Sequence, residues 1–313
     1  MCRHRSILIT EPETVTDSLQ NDTLRHAVNS LPRIALNAGY NPRMPELPEV
    51  ETIVRACRPQ LVGRRIRGFS SSWRRNVSPS AARVKRELTD RLITGVERRG
   101  KLLIFHLEDD AHLLLHLRMS GRLEWADQPD GTPRHVRAVW KLDNGRQCLF
   151  CDPRKFGTIT YTRDLASATA GLGLEPLGPS FTARALGCIL HQRQRQLKPL
   201  LLDQSLIAGL GNIYTDETLA AARLHPLTRS NTVTDPQVVR LHRAIRRILR
   251  FAIRLHGTSV DWIYPGGRMQ RHLTVYGRTG QPCRRCRTPI VSFRVGQRGT
   301  HICPKCQPAP VQR

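Results

Sequence analysis

Four of the nine cysteines constrain this chain more than any other feature: Cys283-Arg284-Arg285-Cys286, then sixteen residues, then Cys303-Pro304-Lys305-Cys306. Each Cys-x-x-Cys knuckle presents two thiolates to one ion, and two knuckles complete a tetrahedral zinc site with no open position. The expectation is one structural Zn2+ that takes no part in catalysis. Between the knuckles, 290–295 and 299–302 suit a two-stranded hairpin too small to persist without the metal. Cys2, Cys57, Cys148, Cys151 and Cys188 are scattered and the total is odd, which points to a metal site in a reducing compartment and not to a disulfide framework. The hairpin also carries Arg294 and Arg298, so it serves either as a DNA contact or as a purely structural knuckle.

Charge narrows the partner. Lys plus Arg number 50 against 25 Asp plus Glu, a formal net charge of +25. Such an excess repels itself in the compact state and is best explained by a polyanionic partner, nucleic acid first; genomic arginine bias is the alternative. No apolar run approaches the roughly 18 residues that span a bilayer. Residues 1–43 offer only Ser6 to Ile9 where a signal peptide needs its apolar stretch. A cytoplasmic, nucleoid-associated protein with no membrane partner is expected. Residues 1–43 show no sustained period and are expected to be a non-native or disordered extension with no core to join.

Order begins at Met44. Val50, Ile53, Val54, Cys57 and Leu61 share one helical face, with Pro48 and the acids Glu46, Glu49 and Glu51 in the first turns, where the helix dipole favours negative charge. From about Ile66 to Tyr161 short apolar runs alternate with turn signals such as Asp143-Asn144-Gly145, which predicts an antiparallel β domain. Gly173 to Pro179 breaks that pattern. Helical segments follow over about 182–194 and 212–224. In a third, Leu241, Ile245, Ile248, Ala252 and Leu255 recur at spacings of four and three. Arg240, Arg243, Arg246, Arg247, Arg250 and Arg254 lie on its other faces, as a solvated surface or as phosphate contacts.

At Met44-Pro45-Glu46-Leu47-Pro48-Glu49-Val50-Glu51-Thr52 the chain resembles the formamidopyrimidine-DNA glycosylase family. The likeness extends to about Gln307 through Arg99-Gly100-Lys101, His116 to Gly121, Asp152 to Gly157, Gly209 to Tyr214, Val275 to Arg278 and the zinc module with Gln297 to Thr300. It implies that Pro45, freed at its nitrogen, is the nucleophile. The chemistry suits a proline: a secondary amine attacking the sugar C1′ gives an iminium ion directly, and that ion acidifies the C2′ proton. An α-amino group titrates at about 7.7 to 8.0, and the positive end of the following helix disfavours its protonation.

The resemblance further implies Glu46 as general acid/base, Glu49 as its supporting carboxylate, and Lys101 as a contact to DNA near the lesion. Ordinary helix N-terminal acids are the alternative for both glutamates. Met119, Arg154 and Phe156 match the family's three residues that fill the gap left by the flipped base. Asn212, in the glycine-rich turn, matches a phosphate contact. Arg298 matches the clamp on the phosphates flanking the lesion, acting with both the catalytic and the DNA-binding groups. Lys198, His116 and Tyr276 match further backbone contacts, and Gly257 to His272 corresponds to the loop that closes over the base.

The expected architecture is α+β: a catalytic N-terminal β-sandwich with the helix at its edge (44–174), a helix-two-turn-helix domain (180–272) and a four-cysteine zinc-finger β-hairpin (273–308), acting as a monomer with DNA between the domains. The expected activity is that of a DNA glycosylase and abasic-site lyase that removes oxidised purines from duplex DNA and nicks the strand by β,δ-elimination. Phosphate contacts make such binding strongly salt-dependent. The alternatives are an endonuclease VIII-like enzyme for oxidised pyrimidines, or a non-catalytic damaged-DNA-binding protein if Pro45 is never exposed.

Overall fold

The computed structural model describes residues 44–127, 133–259 and 266–310; the expected extension over 1–43 lies outside them. Helix α1 runs Leu47–Leu61. The Glu46 backbone N–H at its start donates to Glu49 Oε2 at 3.0 Å, which satisfies one of the donors a helix N-terminus leaves open.

Nine strands follow: β1 Ile66–Ser71, β2 Val77–Ser78, β3 Ile93–Arg99, β4 Leu102–Leu107, β5 Ala111–His116, β6 Arg122–Ala126, β7 Val136–Leu142, β8 Gln147–Cys151 and β9 Thr158–Thr162. They form a four-stranded sheet in the order β1-β7-β8-β6 and a five-stranded sheet in the order β2-β9-β5-β4-β3. One core draws on both, with Phe69, Trp140 and Phe150 from the first and Val96, Phe105, Leu113 and Leu115 from the second. The Phe105 and Trp140 rings meet edge to face at 6.4 Å across the sandwich.

Two features depart from a purely antiparallel β domain. Helix α2, Ala81–Leu88, sits within it, capped by Ser80, whose hydroxyl accepts from the Arg83 N–H; Val84 and Leu88 are its buried residues, one turn apart. The two-residue strand β2 also pairs parallel to β9.

The helical half holds α3 Leu165–Thr169, α4 Ala183–His191, α5 Leu197–Leu202, α6 Asn212–Ala222 and α7 Asp235–Arg254. The Thr234 N–H donates to Gln237 Oε1 at 2.8 Å where α7 begins, and Leu241, Ile245, Leu249 and Ala252 line its buried stripe. Strands β10 Val291–Val295 and β11 Arg298–Ile302 pair antiparallel. They are joined by Gly296 and Gln297, both at positive φ (+53° and +61°), as a two-residue hairpin turn of the twist-compatible kind requires.

Helix α1 lies along β3, the edge strand of the five-stranded sheet, and closes the core there. Val50, Ile53, Val54 and Cys57 belong to the sandwich core, whereas Leu47 belongs to the core built around α6 and α7. Its first turn thus ties the two halves together.

Candidate active site

The Leu47 N–H donates to Gly209 O at 3.1 Å, which brings the start of α1 against the glycine turn before α6. Glu46, only 3% exposed, then directs its carboxylate onto the open amides of a second helix. Oε2 accepts from Gly211 N at 2.8 Å and Tyr214 N at 3.3 Å, and Oε1 accepts from Ile213 N at 2.8 Å. Burial pushes its pKa up to about 7; Lys101 opposes that rise and Glu49 adds to it. Amide donors favour the carboxylate while desolvation favours the acid, so the group is poised between the two near neutrality.

Glu49 is also buried, and burial raises its pKa. Its Oε1 accepts from Tyr214 Oη at 2.6 Å, Thr258 N at 2.7 Å and Thr258 Oγ1 at 3.0 Å. It therefore joins α1 to α6 and to the first described residues of the loop expected to close over the base; residues 260–265 of that loop lie outside the described residues. Pro45, next to Glu46 in the chain, is buried as well.

Lys101 stands in the turn just before β4. That turn is held by the interdomain residue Glu175, which accepts from Arg98 Nη1 at 3.0 Å and, through its other oxygen, from the Gly100 N–H. Desolvation lowers the Lys101 pKa, Glu46 and Glu49 partly restore it, and Arg298 lowers it further. One field thus contains the ammonium, both glutamates and the arginine of the zinc hairpin.

Met119, Arg154 and Phe156 come together from two loops. Arg154 Nη1 lies 3.4 Å from Met119 Sδ, and its guanidinium stands 5.0 Å over the Phe156 ring. Phe156 is 50% exposed, a placement that aromatic burial statistics alone would not suggest. Asp152, buried between the loops, holds both: its carboxylate accepts from Ser120 Oγ, from Arg154 N at 3.2 Å and from Gly157 N at 2.7 Å. Arg118 and Lys155, just before half-buried Met119 and exposed Phe156, adopt positive φ of +53° and +59°.

His116 Nδ1 accepts the Arg118 N–H at 3.0 Å, and burial, with repulsion from Arg118 and Lys101, pushes its pKa down to about 4. The ring is therefore neutral with its proton on Nε2, a donor suited to a phosphate oxygen. Asn212 Nδ2 donates to Gly299 O at 2.9 Å, and Arg298 beside it is exposed. Tyr276 is 7% exposed, with its ring 4.8 Å from that of His301.

Lys198 departs from the expectation of a DNA contact. Its side chain is 0% exposed, and Nζ donates to Asp216 Oδ1 at 2.6 Å and Gly299 O at 2.8 Å. The ammonium braces the hairpin against α6 from inside. Asp216 and Glu217 complete the brace: Asp216 Oδ2 accepts from His301 N at 2.9 Å, and Glu217 accepts from the N–H groups of Thr274, Val275 and Tyr276. Sequence reasoning missed these two acids, Tyr214, Thr258 and Asp152. Consecutive acids inside an apolar helical run of a strongly basic chain were the available signal for the pair.

The sulfurs of Cys283, Cys286, Cys303 and Cys306 lie within 4.8 Å of one another. The Arg285 N–H points to Cys283 Sγ and the Cys306 N–H to Cys303 Sγ, each at 3.4 Å, as thiolates in metal knuckles require. The four cysteines fit a structural zinc ion.

Comparison with known proteins follows the same division. The family model for the formamidopyrimidine-DNA glycosylase N-terminal domain matches residues 44–159, that for the H2TH domain of the same enzymes 172–263, and a zinc finger found in FPG and IleRS 280–309. A formamidopyrimidine-DNA glycosylase of Chloroflexus aurantiacus is 44% identical over 271 residues, covering 84% of this chain and 98% of that protein. One from Herpetosiphon aurantiacus is 42% identical, with 84% and 100% covered. Among solved structures, MutM with DNA containing carbocyclic 8-oxo-G superimposes at a TM-score of 0.81 and 38% identity, covering 85% of this chain and all of the other. A Lactococcus lactis Fpg mutant with Fapy-dG-containing DNA gives the same values.

Proposed function

This chain belongs to the formamidopyrimidine-DNA glycosylase family, and we propose from that premise how its residues carry the reaction. It is a base-excision repair enzyme that removes oxidised purines from duplex DNA, with glycosylase and abasic-site lyase activity. The observation that carries the residue assignment is the buried pair Glu46 and Glu49 at the end of α6, beside Pro45 and in the field of Lys101.

The Pro45 nitrogen attacks the sugar C1′, the oxidised base departs with a proton, and an iminium ion forms. Glu46 in its acid form protonates the ring oxygen as the sugar opens, then as carboxylate takes the C2′ proton, which drives loss of the 3′ phosphate; δ-elimination releases the 5′ side. Glu49, locked by Tyr214 and Thr258, positions Glu46, and its charge adds to the rise that burial gives the Glu46 pKa. Lys101 and Arg298 attract the phosphates on either side, with Asn212, neutral His116 and Tyr276 as backbone contacts. Met119, Arg154 and Phe156 fill the vacated stack, and Asp152 fixes the two loops that carry them. Zinc held by the four cysteines supplies rigidity to the hairpin that presents Arg298. Lys198 is a positioning residue for that hairpin.

The division into 44–174, 180–272 and 273–308, with residues 1–43 as an extension outside the working enzyme, is supported by the family matches, which begin at residue 44. No helix among the described residues is long and apolar enough to cross a membrane; our finer reading is a monomer acting in the cytoplasm at the nucleoid, in keeping with the net charge of +25.

The test gives a chain beginning at Pro45 duplexes carrying 8-oxoguanine or thymine glycol, scoring base release and the ends of the nicked strand. Preferential release of 8-oxoguanine with phosphate on both ends is expected. Preference for thymine glycol would move the chain to the endonuclease VIII-like reading, and binding without release would leave a damage-binding protein.

A further inference from the structure

A cavity of about 480 Å³ lies between α6, α7 and the zinc knuckles, and the reaction above does not use it. Its α6 and knuckle residues lie away from Asn212 and Arg298, while Met269, His272, Thr274 and Val275 line the side nearest the closing loop and Tyr276. Its α6 residue Ala221 is nine residues from Asn212, about 13 Å along the helix. Its knuckle residue Cys303 is five residues from Arg298, about 17 Å along the extended chain.

The floor is apolar and incompletely covered: Ala221, Ile248 and Phe251 line it and are only partly buried. The rim carries Arg247 and Arg254 from α7 and Arg284 and Arg285 from the first knuckle, all exposed. Glu217 is the one carboxylate among the lining residues, and it is already engaged by the N–H groups of Thr274, Val275 and Tyr276. The four rim guanidinium groups outnumber the Glu217 carboxylate and the two net negative charges of a zinc held by four thiolates, three of which line the cavity, and they stand above an apolar floor.

The charge also continues past the cavity. Arg240, Arg243, Arg247, Arg250 and Arg254 are all exposed and recur at spacings of three and four, which places them on one face of α7. The stripe spans about 21 Å. A small organic anion would meet only the rim. DNA would match the stripe but has no apolar group to fill the floor.

We propose that this surface docks an acidic peptide of a partner protein, with an aromatic or branched aliphatic side chain seated on Ile248 and Phe251 and carboxylates paired along the arginine stripe. It is a recruitment site separate from the lesion site, and its affinity falls steeply with salt.

Fluorescence anisotropy of the full chain with a labelled peptide of six alternating Asp and Glu followed by Leu-Phe tests the proposal. Replacing the peptide's Phe by Ala is expected to weaken binding at least about tenfold, as loss of a buried aromatic anchor does. Arg247→Glu with Arg254→Glu is expected to weaken it by a similar factor, with binding to a lesion duplex unchanged. Ala221→Leu, which fills the floor, serves as a second blocking variant and is expected to weaken binding of the peptide and not of the lesion duplex. Equal binding of the Phe and Ala peptides, or no binding at low salt, overturns the proposal. So does an equal loss of lesion-duplex binding in the arginine variants, which would make the stripe a nucleic-acid track.

Discussion

The carboxylate of Glu46 occupies the space in which residue 211 would carry a Cβ: an atom built there lies 2.3 Å from Glu46 Cδ. Glycine at 211 is therefore a condition for the proton-transfer geometry, and Gly211→Ala is expected to displace Glu46, lower excision at least about tenfold and cost about 1–3 kcal/mol of stability, as overpacking does. Gly171, with nothing within 4 Å of its built Cβ, is the control: Gly171→Ala should leave both excision and the melting temperature near wild type. The same residue scale sets the pH response. Glu46 titrates at about 7 because burial disfavours its charge, and it must be protonated to donate to the sugar oxygen. Excision should fall as pH rises through about 7. In Glu46→Gln the rate should drop by roughly 10²-fold or more and that limb should vanish; a limb that persists would assign the titration to another group. For stability the sign follows from a folded pKa above the ordinary carboxylate value: the contribution of Glu46 is greatest below about 4.5 and is lost as pH rises through about 7.

Helix α6 organises the site because three of its polar side chains are tied to different elements: Tyr214 to α1 through Glu49, Asp216 to Lys198 and the hairpin, and Glu217 to 274–276. Removing one partner of the buried Lys198–Asp216 pair leaves an uncompensated charge. Lys198→Ala is thus expected to cost about 3–5 kcal/mol, read as a lower chemical-denaturation midpoint, with DNA binding lost in proportion to hairpin order. Arg298→Ala separates the two roles: the side chain is exposed, so stability should stay within about 0.5 kcal/mol while affinity for lesion DNA falls. Equal destabilisation by both changes would mean that Arg298 is also a brace. This helix explains what the chain's linear pattern hides. Helix α7 was legible because apolar residues make its buried stripe, and the hairpin because its cysteines are spaced for a metal. Helix α2 was not, since it buries only Val84 and Leu88. Nor was the hub role of α6, because periodicity counts apolar residues and α6 buries Thr215, Asp216, Glu217 and Thr218. Pro45, Glu46 and the wedge residues were legible as motifs. The resemblance gives Lys198 a DNA backbone contact, and nothing in the local sequence points to its partners, which stand 18 and 101 residues away.

Across the whole molecule, binding and chemistry depend on different things. Under the proposed assignment, binding rests on groups spread over both halves: Lys101 and Phe156 on the sandwich, Asn212 on α6, Arg298 on the hairpin. The proposed chemistry rests on one nitrogen. In the 313-residue chain Met44 precedes Pro45, and a peptide bond there delocalises the lone pair that the reaction needs. The full chain and a chain beginning at Pro45 should therefore bind a lesion duplex with dissociation constants within a few-fold of each other. Only the shorter should release 8-oxoguanine and yield a borohydride-stabilised adduct, mapped by peptide mass spectrometry to Pro45. An adduct on the full chain at an internal amine would overturn the role given to Pro45. Lys101 is the residue to inspect in that case, because burial lowers its pKa and it lies in the field of Glu46 and Glu49. An adduct at Pro45 in preparations of the full-length chain would instead require that the Met44–Pro45 bond had been cut, and the intact mass of the adducted protein would show the loss of everything before Pro45.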